Sequence, residues 1–142
     1  MSLLKRTIET PLYIDIRKGA LDDLATVLAD QRVSSKGHIA VVMTEGGKKK
    51  FEARLKKAAP NADFYISPGN SLDDAKALAE NLKPKKYDAI VGVGGGRVID
   101  LCKYAATLLE IPMISVATNL AHDGDSYFSV VSWFLVQSIH GR

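Results

Sequence analysis

The chain has a single cysteine, Cys102, so no internal disulfide can form. That is the usage of reducing compartments, and a cytoplasmic setting is expected. An opening apolar run is also missing: Met1-Ser2-Leu3-Leu4-Lys5-Arg6 turns basic too early for a signal peptide. No stretch supplies the roughly 20 apolar residues of a membrane span. The most apolar one, residues 127–139, is short and interrupted by serine and glutamine, and no membrane partner is expected. Charge of one sign is scarce too: 19 basic and 16 acidic side chains leave +3. Lysines cluster only at Lys48, Lys49 and Lys50 and at Lys83, Lys85 and Lys86, with no aromatic residue between them. Such clusters are solvated faces, and no nucleic-acid partner is expected. Internal repeats, low-complexity segments and linkers are absent. What remains is ordinary: 142 residues, 46% hydrophobic and 25% charged, enough for one domain with a sizeable core.

The apolar pattern alternates between two periods. Residues 12–16 read as a strand, Gly19 punctuates it, and Ala20, Leu21, Leu24, Val27 and Leu28 then recur at helical spacing. Residues 38–43 form a continuous apolar run, as in strands buried on both faces. Gly46-Gly47 breaks it, and a basic helix through Phe51, Leu55 and Ala58 runs to Pro60. Residues 63–66 read as a third strand, ended by Pro68-Gly69. Ser71 suits the cap of the next helix, with Asp73 and Asp74 in its first turn and Leu72, Ala75, Leu78, Ala79 and Leu82 as its buried stripe. Residues 87–93 and 112–116 are the fourth and fifth strands. The helix between them turns Val98, Leu101, Cys102, Ala105, Leu108 and Leu109 to one face. Strands alternating with helices in this way predict an α/β fold, a doubly wound parallel sheet of Rossmann-like type, over residues 1–125. Residues 126–142 are an atypical apolar, aromatic tail, either a last strand or a segment covered by something else.

The run Val91-Gly92-Val93-Gly94-Gly95-Gly96-Arg97-Val98-Ile99-Asp100 carries the chemistry. A strand leads in, glycines turn the chain, and a helix leads out. A helix N-terminus offers unpaired N–H groups and partial positive charge, which suit a phosphate. The run is not a P-loop, because no Gly-Lys-Ser/Thr follows. It also fails the dinucleotide fingerprint G-x-G-x-x-G, whose third glycine would fall at Arg97. Three glycines in a row cost backbone entropy that a simple turn avoids. Without Cβ atoms the backbone at Gly94, Gly95 and Gly96 can approach a pyrophosphate, with Arg97 adding charge. Asp100 is expected in the first helical turn, either favouring the dipole or fixing the loop.

A second constellation, Ser115-Val116-Ala117-Thr118-Asn119-Leu120-Ala121-His122-Asp123-Gly124, follows the fifth strand. Loops at the carboxyl ends of neighbouring strands meet in one crevice of an open α/β sheet. Thr118 and Asn119 are therefore expected to face the same ligand as Gly95.

Gly94-Gly95-Gly96-Arg97-Val98-Ile99-Asp100 followed by Thr118-Asn119-Leu120-Ala121-His122-Asp123-Gly124 resembles the sn-glycerol-1-phosphate dehydrogenases. These sit in the wider group of 3-dehydroquinate synthases, glycerol dehydrogenases and iron-containing alcohol dehydrogenases. The glycine core is common to the group, and the His-Asp-Gly form of the second loop is similar to the glycerol-1-phosphate branch. The resemblance runs over about residues 10–124.

It implies an NAD(P)-binding domain, with NAD or NADP as cofactor and a small polyol phosphate as substrate. Gly94, Gly95, Gly96 and Arg97 would hold the pyrophosphate, with Asp100 supporting the loop. Thr118 and Leu120 would touch the nucleotide. Asp123 would stand on the substrate side, near the nicotinamide. Glu45 would read the adenosine ribose, with Thr44 next to it. Lys48, Lys49 and Lys50 would tolerate a 2′-phosphate. The family's zinc or iron is held by one aspartate and two histidines of a C-terminal helical domain. None of those positions is expected in this chain; His122 is not one of them, and His38 and His140 lack metal-ligating companions. The expectation is an oxidoreductase domain, assembled as a homo-oligomer, that binds dinucleotide and turns over little by itself. Two other readings are a dehydroquinate-synthase-like lyase domain and a non-catalytic nucleotide-binding or assembly module.

Overall fold

The structure is a computed structural model that describes residues 16–19, Leu24, 38–120 and 126–133. Four strands run parallel, with β3 at the edge: β2 (Ile39–Met43), β3 (Asp63–Ile66), β4 (Ala89–Gly94) and β5 (Met113–Leu120). Two further strands, β1 (Ile16–Gly19) and β6 (Ser126–Trp133), complete a sheet of order β1-β6-β5-β4-β2-β3. β6 runs antiparallel to β5, and β1 antiparallel to β6. The segment after Asp125 is thus a strand over residues 126–133, the first of its two open readings.

Three helices connect the parallel strands: α1 (Glu45–Ala58), α2 (Leu72–Leu82) and α3 (Gly96–Leu109). A short 3-10 turn, Lys83–Lys85, follows α2. Alternation sorts the strand side chains onto two faces. Ile39, Val41, Met43, Ala89, Val91, Val93, Ile114 and Val116 pack with Phe51 and Leu55 of α1 and with the helical residue Leu24. Ala40, Val42, Ile90 and Met113 face the other way, against Ala75, Leu78 and Leu82 of α2 and Val98, Leu101 and Cys102 of α3. Helices therefore cover both faces, the doubly wound arrangement expected. The whole of β2 is buried because it lies inside this sandwich, which explains its uninterrupted apolar run.

Several boundaries differ from the sequence reading. Gly46 and Gly47 lie inside the first turn of α1, not in a break before it. Thr44 caps this helix, its Oγ1 accepting from the Gly47 N–H at 3.0 Å. Gly19 is the last residue of β1, opposite Phe128. Residues 12–15 and the rest of the helix expected around Leu24 lie outside the described residues. Leu72 and Leu108, expected to be buried, are 39% and 43% exposed. Each stands at an end of its helix. Near the end of α3, Ala106 and Thr107 are buried instead, and Thr107 Oγ1 donates to the Lys103 carbonyl at 2.7 Å. Among the described residues no helix is long and apolar enough to cross a membrane.

The sheet order places the site. From β2 the chain steps outward to β3, then returns to β4 on the other side of β2. α1 leaves β2 toward one face, while α3 leaves β4 toward the other. The carboxyl ends of β2 and β4 thus diverge, and a crevice opens between them. This reversal is where open α/β sheets take ligands.

Candidate functional site

Strand register fixes the floor of the crevice. Met43 pairs with Val93, and Gly94 pairs with Ala117. One residue beyond Met43–Val93 stand Thr44 and Gly94, and one further stand Glu45, Gly95 and Thr118. The chain distance between these groups is large, yet adjacent strands bring them into one row at a spacing of about 4.8 Å per strand. Beyond Met43, the Ser67 N–H donates to the Met43 carbonyl at 2.8 Å, tying the end of β3 to the same edge.

The glycines in this stretch differ in what they permit. A Cβ on Gly92 would stand 2.9 Å from Cys102 Sγ, so this position serves close packing of α3 on β4. Gly94 has φ +143°, a conformation that residues with a Cβ rarely adopt. It makes the turn. Gly95 and Gly96 are bound by neither demand: a Cβ on either would meet nothing within 4 Å. Gly95 has φ −89°, accessible to any residue. The empty space over them is what a ligand approaching the backbone needs.

Among the described residues three helix N-termini meet this edge of the sheet, and they are not equivalent. α1 is capped by Thr44. α2 is capped by Ser71 and closed by a reciprocal capping box with Asp74. α3 begins at Gly95 with no side-chain cap. Its first N–H groups are left for an outside acceptor, with the positive end of the helix dipole behind them. Arg97, in the first turn, is exposed beside them. An oxyanion fits this donor set.

The other expected residues fall as follows. Glu45 is exposed in the first turn of α1, at the crevice mouth. Lys48 lies one turn further and lines a small hollow with Met43, Phe64, Tyr65 and Ile66. Asp100 is not in the first turn of α3, because the helix starts at Gly96; it is exposed one turn later, and its side chain makes no hydrogen bond or ion pair among the described residues. Thr118, Asn119 and Leu120 lie on β5, not in a loop, because β6 pairs with β5 out to Leu120–Ser126. Alternation puts Thr118 on the α1 face, with Ile114 and Val116. Asp123 and His122 lie outside the described residues, as does His140.

One cluster escaped the sequence reading. His38, Asp63, Tyr65 and Tyr87 gather at the opposite, amino end of β2, β3 and β4. Tyr87 Oη donates to Asp63 Oδ2 at 2.5 Å, and the two tyrosine hydroxyls lie 2.5 Å apart. His38 Nε2 is 3.7 Å from Asp63 Oδ2, and its ring stacks on Tyr87 at 4.3 Å. These residues are up to 49 positions apart, and only strand order unites them.

Comparison with known proteins follows the same line. The profile of the iron-containing alcohol dehydrogenase family matches residues 15–138. The chain belongs to this family. Among its relatives is a glycerol-1-phosphate dehydrogenase [NAD(P)+] of Hyperthermus butylicus, 33% identical over 120 residues, covering 82% of this chain and 34% of the relative. A protein of the same description from Methanosarcina barkeri is 28% identical over 119 residues, covering 82% and 33%. The chain therefore spans about a third of the length of the curated relatives it matches. The fold is similar to that of maleylacetate reductase from Agrobacterium tumefaciens, with TM-score 0.56, 18% identity, and coverage of 74% of this chain and 33% of that one.

The family's description implies a metal ion. Among the described residues no three His, Cys, Asp or Glu side chains stand together to hold one. Cys102 is buried, and burial pushes its thiol up to about 12, away from the thiolate a metal would need. The described residues do not fit a metal centre, and no step is assigned through one. They do fit a dinucleotide, in the uncapped N-terminus of α3 and the space over Gly95 and Gly96.

Proposed function

We propose that this chain is the cofactor-binding part of an NAD(P)-dependent polyol dehydrogenase whose substrate is glycerol 1-phosphate or dihydroxyacetone phosphate. One observation carries the reading. Gly95 and Gly96 occupy positions where the fold would accept a side chain, at the one α-helix N-terminus on this edge, among the described residues, without a side-chain cap. The names of the relatives support the substrate class.

In this reading the first N–H groups of α3 hold the pyrophosphate, and Arg97 adds a positive charge to it. Glu45 accepts hydrogen bonds from the adenosine ribose hydroxyls at the end of β2. Thr118 and Leu120 wall the nucleotide from β5, and Asp123 stands on the substrate side. Lys48 leaves room for a 2′-phosphate, so both NAD and NADP are accepted. When bound, the nicotinamide supplies or accepts the hydride exchanged with the substrate's secondary carbon. The chain's own contribution is to bind, orient and hold the cofactor in the crevice. The enzyme works as a homo-oligomer in the cytoplasm.

Titration calorimetry with NAD and NADP tests this, using the chain and its Gly95→Val variant. The variant should keep the circular dichroism of the parent and bind at least about tenfold more weakly, since a β-branched side chain blocks approach to the backbone. Equal binding by both would remove the glycine turn from the function.

A further inference from the structure

Charge in this chain is concentrated on one helix. α1 carries six basic side chains, Lys48, Lys49, Lys50, Arg54, Lys56 and Lys57, against two acidic ones, Glu45 and Glu52. The helix thus holds +4, more than the +3 of the whole chain. α2, on the opposite face of the sheet, has Asp73, Asp74 and Glu80 against Lys76 alone. The molecule is therefore polarised across its sheet, positive on the α1 side.

Packing decides where these charges point. Phe51 and Leu55 are buried against the sheet. A turn of 3.6 residues then sets Lys49, Lys50, Lys56 and Lys57 on the outward side, around Ala53, and all four are exposed. Lys56 pairs with Glu52 at 3.6 Å. Lys49, Lys50 and Lys57 form no ion pair among the described residues. Lys50, Arg54 and Lys57 follow one another at i, i+4 and i+7, spacings at which like charges repel. Core packing and the Thr44 cap require none of these lysines, so the helix keeps them against its own stability.

The position of α1 gives this charge a use. The helix starts just beyond β2, at the mouth of the crevice, and its charges run away from that mouth in a row. Lys49 lies about 6 Å along the axis from Glu45, and Lys57 about 18 Å. A dinucleotide is anionic, and the 2′-phosphate gives NADP about two more negative charges than NAD. We propose that α1 is an electrostatic guide. Its outward lysines draw the anionic dinucleotide toward the crevice from a distance and raise the association rate without touching the bound ligand. This guidance, which rests on the cofactor reading above, adds how the cofactor arrives. Steering of this kind raises association rates by about ten- to a thousandfold and is screened by salt.

Temperature-jump relaxation with NADPH and NADH, followed by nicotinamide fluorescence, separates association from dissociation. With Lys49→Glu, Lys50→Glu and Lys57→Glu combined, NADPH association at about 10 mM salt should slow at least about tenfold. Dissociation should stay within about twofold, because the lysines act before contact. The slowing should be smaller for NADH and should shrink below about twofold at about 0.5 M salt. Glutamine at the same three positions should show about half the loss on a logarithmic scale; it guards against misfolding, and circular dichroism checks both variants. Lys83→Glu, Lys85→Glu and Lys86→Glu combined, just before β4 at the other end of the sheet, make the same change in net charge. They should slow association no more than about threefold. At about 0.15 M salt, where screening acts over about 8 Å, Lys49→Glu alone should still slow association and Lys57→Glu alone should not. An association rate indifferent to the α1 reversal, an equal effect from the distant lysines, or an effect confined to dissociation would overturn the guide and leave the cofactor reading standing. Absent NADPH binding, or binding that ignores Gly95→Val, would instead remove the cofactor reading and the guide with it.

Discussion

Gly92 of β4 lies directly under Cys102 of α3: a Cβ added to the glycine would stand 2.9 Å from Sγ and 3.1 Å from the cysteine Cβ. Met113 Cε would be 3.2 Å away on the neighbouring strand. The helix that carries the candidate phosphate site therefore rests on the sheet through this glycine. Its packing sets the height of the α3 N-terminus above the crevice.

Gly92→Ala should lower stability by about 1–3 kcal/mol, the usual cost of overpacking a core. Urea denaturation measures it. Cys102→Ala removes the Sγ contact, so the double variant should lose less than the two single losses added together. Strict additivity would mean that the two residues do not meet as described. The same packing shields the buried thiol, so a thiol reagent should label Cys102 only as fast as the wild type opens, and faster in Gly92→Ala.

The fold was largely legible because its strands are short, apolar and separated by amphipathic helices. Residues 63–66 and the Ser71 cap stand where the sequence puts them, since Pro68-Gly69 and Ser-x-x-Asp are local signals. The glycine turn was legible for the same reason. What is settled between distant segments was not. The apolar pattern ends the fifth strand at residue 116, but pairing with β6 carries β5 through Leu120. Leu108 has helical spacing with the buried stripe, yet burial depends on how far the sheet extends beneath it. Nor does any local pattern reveal that Gly95 and Gly96 look onto open space while Gly92 does not. That difference depends on what each glycine faces, and sequence spacing is silent about it.

The capping box of α2 should make stability depend on pH in acid. Hydrogen bonds from the backbone and hydroxyl of Ser71 hold the Asp74 carboxyl below its ordinary value of 3.8. A lowered carboxylate pKa stabilises the fold above the unfolded-state value, and the benefit is lost as pH falls through the folded-state value. Wild type should therefore be more stable than Asp74→Ala at neutral pH. The gap should begin to close below about pH 4, and thermal melts at several pH values would show it. A gap that persists unchanged in acid would assign the effect to helix propensity instead.

Tyr87 joins β4 to β3 through its hydroxyl, giving a hydrogen bond to Asp63 and lying 2.5 Å from the Tyr65 hydroxyl. Tyr87→Phe keeps the buried ring and removes both links, and should cost about 1 kcal/mol, since Asp63 is half exposed and water replaces part of the loss. Burial first, then the bond to Asp63, pushes the Tyr87 hydroxyl well above its ordinary value of 10.0. A raised pKa means that its contribution is complete below 10 and fades only as pH climbs through the raised value. The difference between wild type and Tyr87→Phe should thus stay level between about pH 7 and 9. Denaturation midpoints across that range would expose any slope.

Adjacent glycines of the turn should separate stability from binding. Gly94→Ala forces a Cβ onto a residue at φ +143° and should destabilise by about 1–2 kcal/mol. Gly96→Ala should do the reverse. Gly96 is the first residue of α3, and its Cβ would meet nothing. Alanine there reduces the freedom of the unfolded chain and should stabilise by about 0.4–1 kcal/mol. The same methyl group would occupy the space proposed for the pyrophosphate, so NAD affinity should fall while the melting temperature rises. Both are read on one preparation, by thermal denaturation and calorimetry. A variant that is more stable and binds NAD as well as its parent would show that the space over Gly96 is not where the cofactor lies.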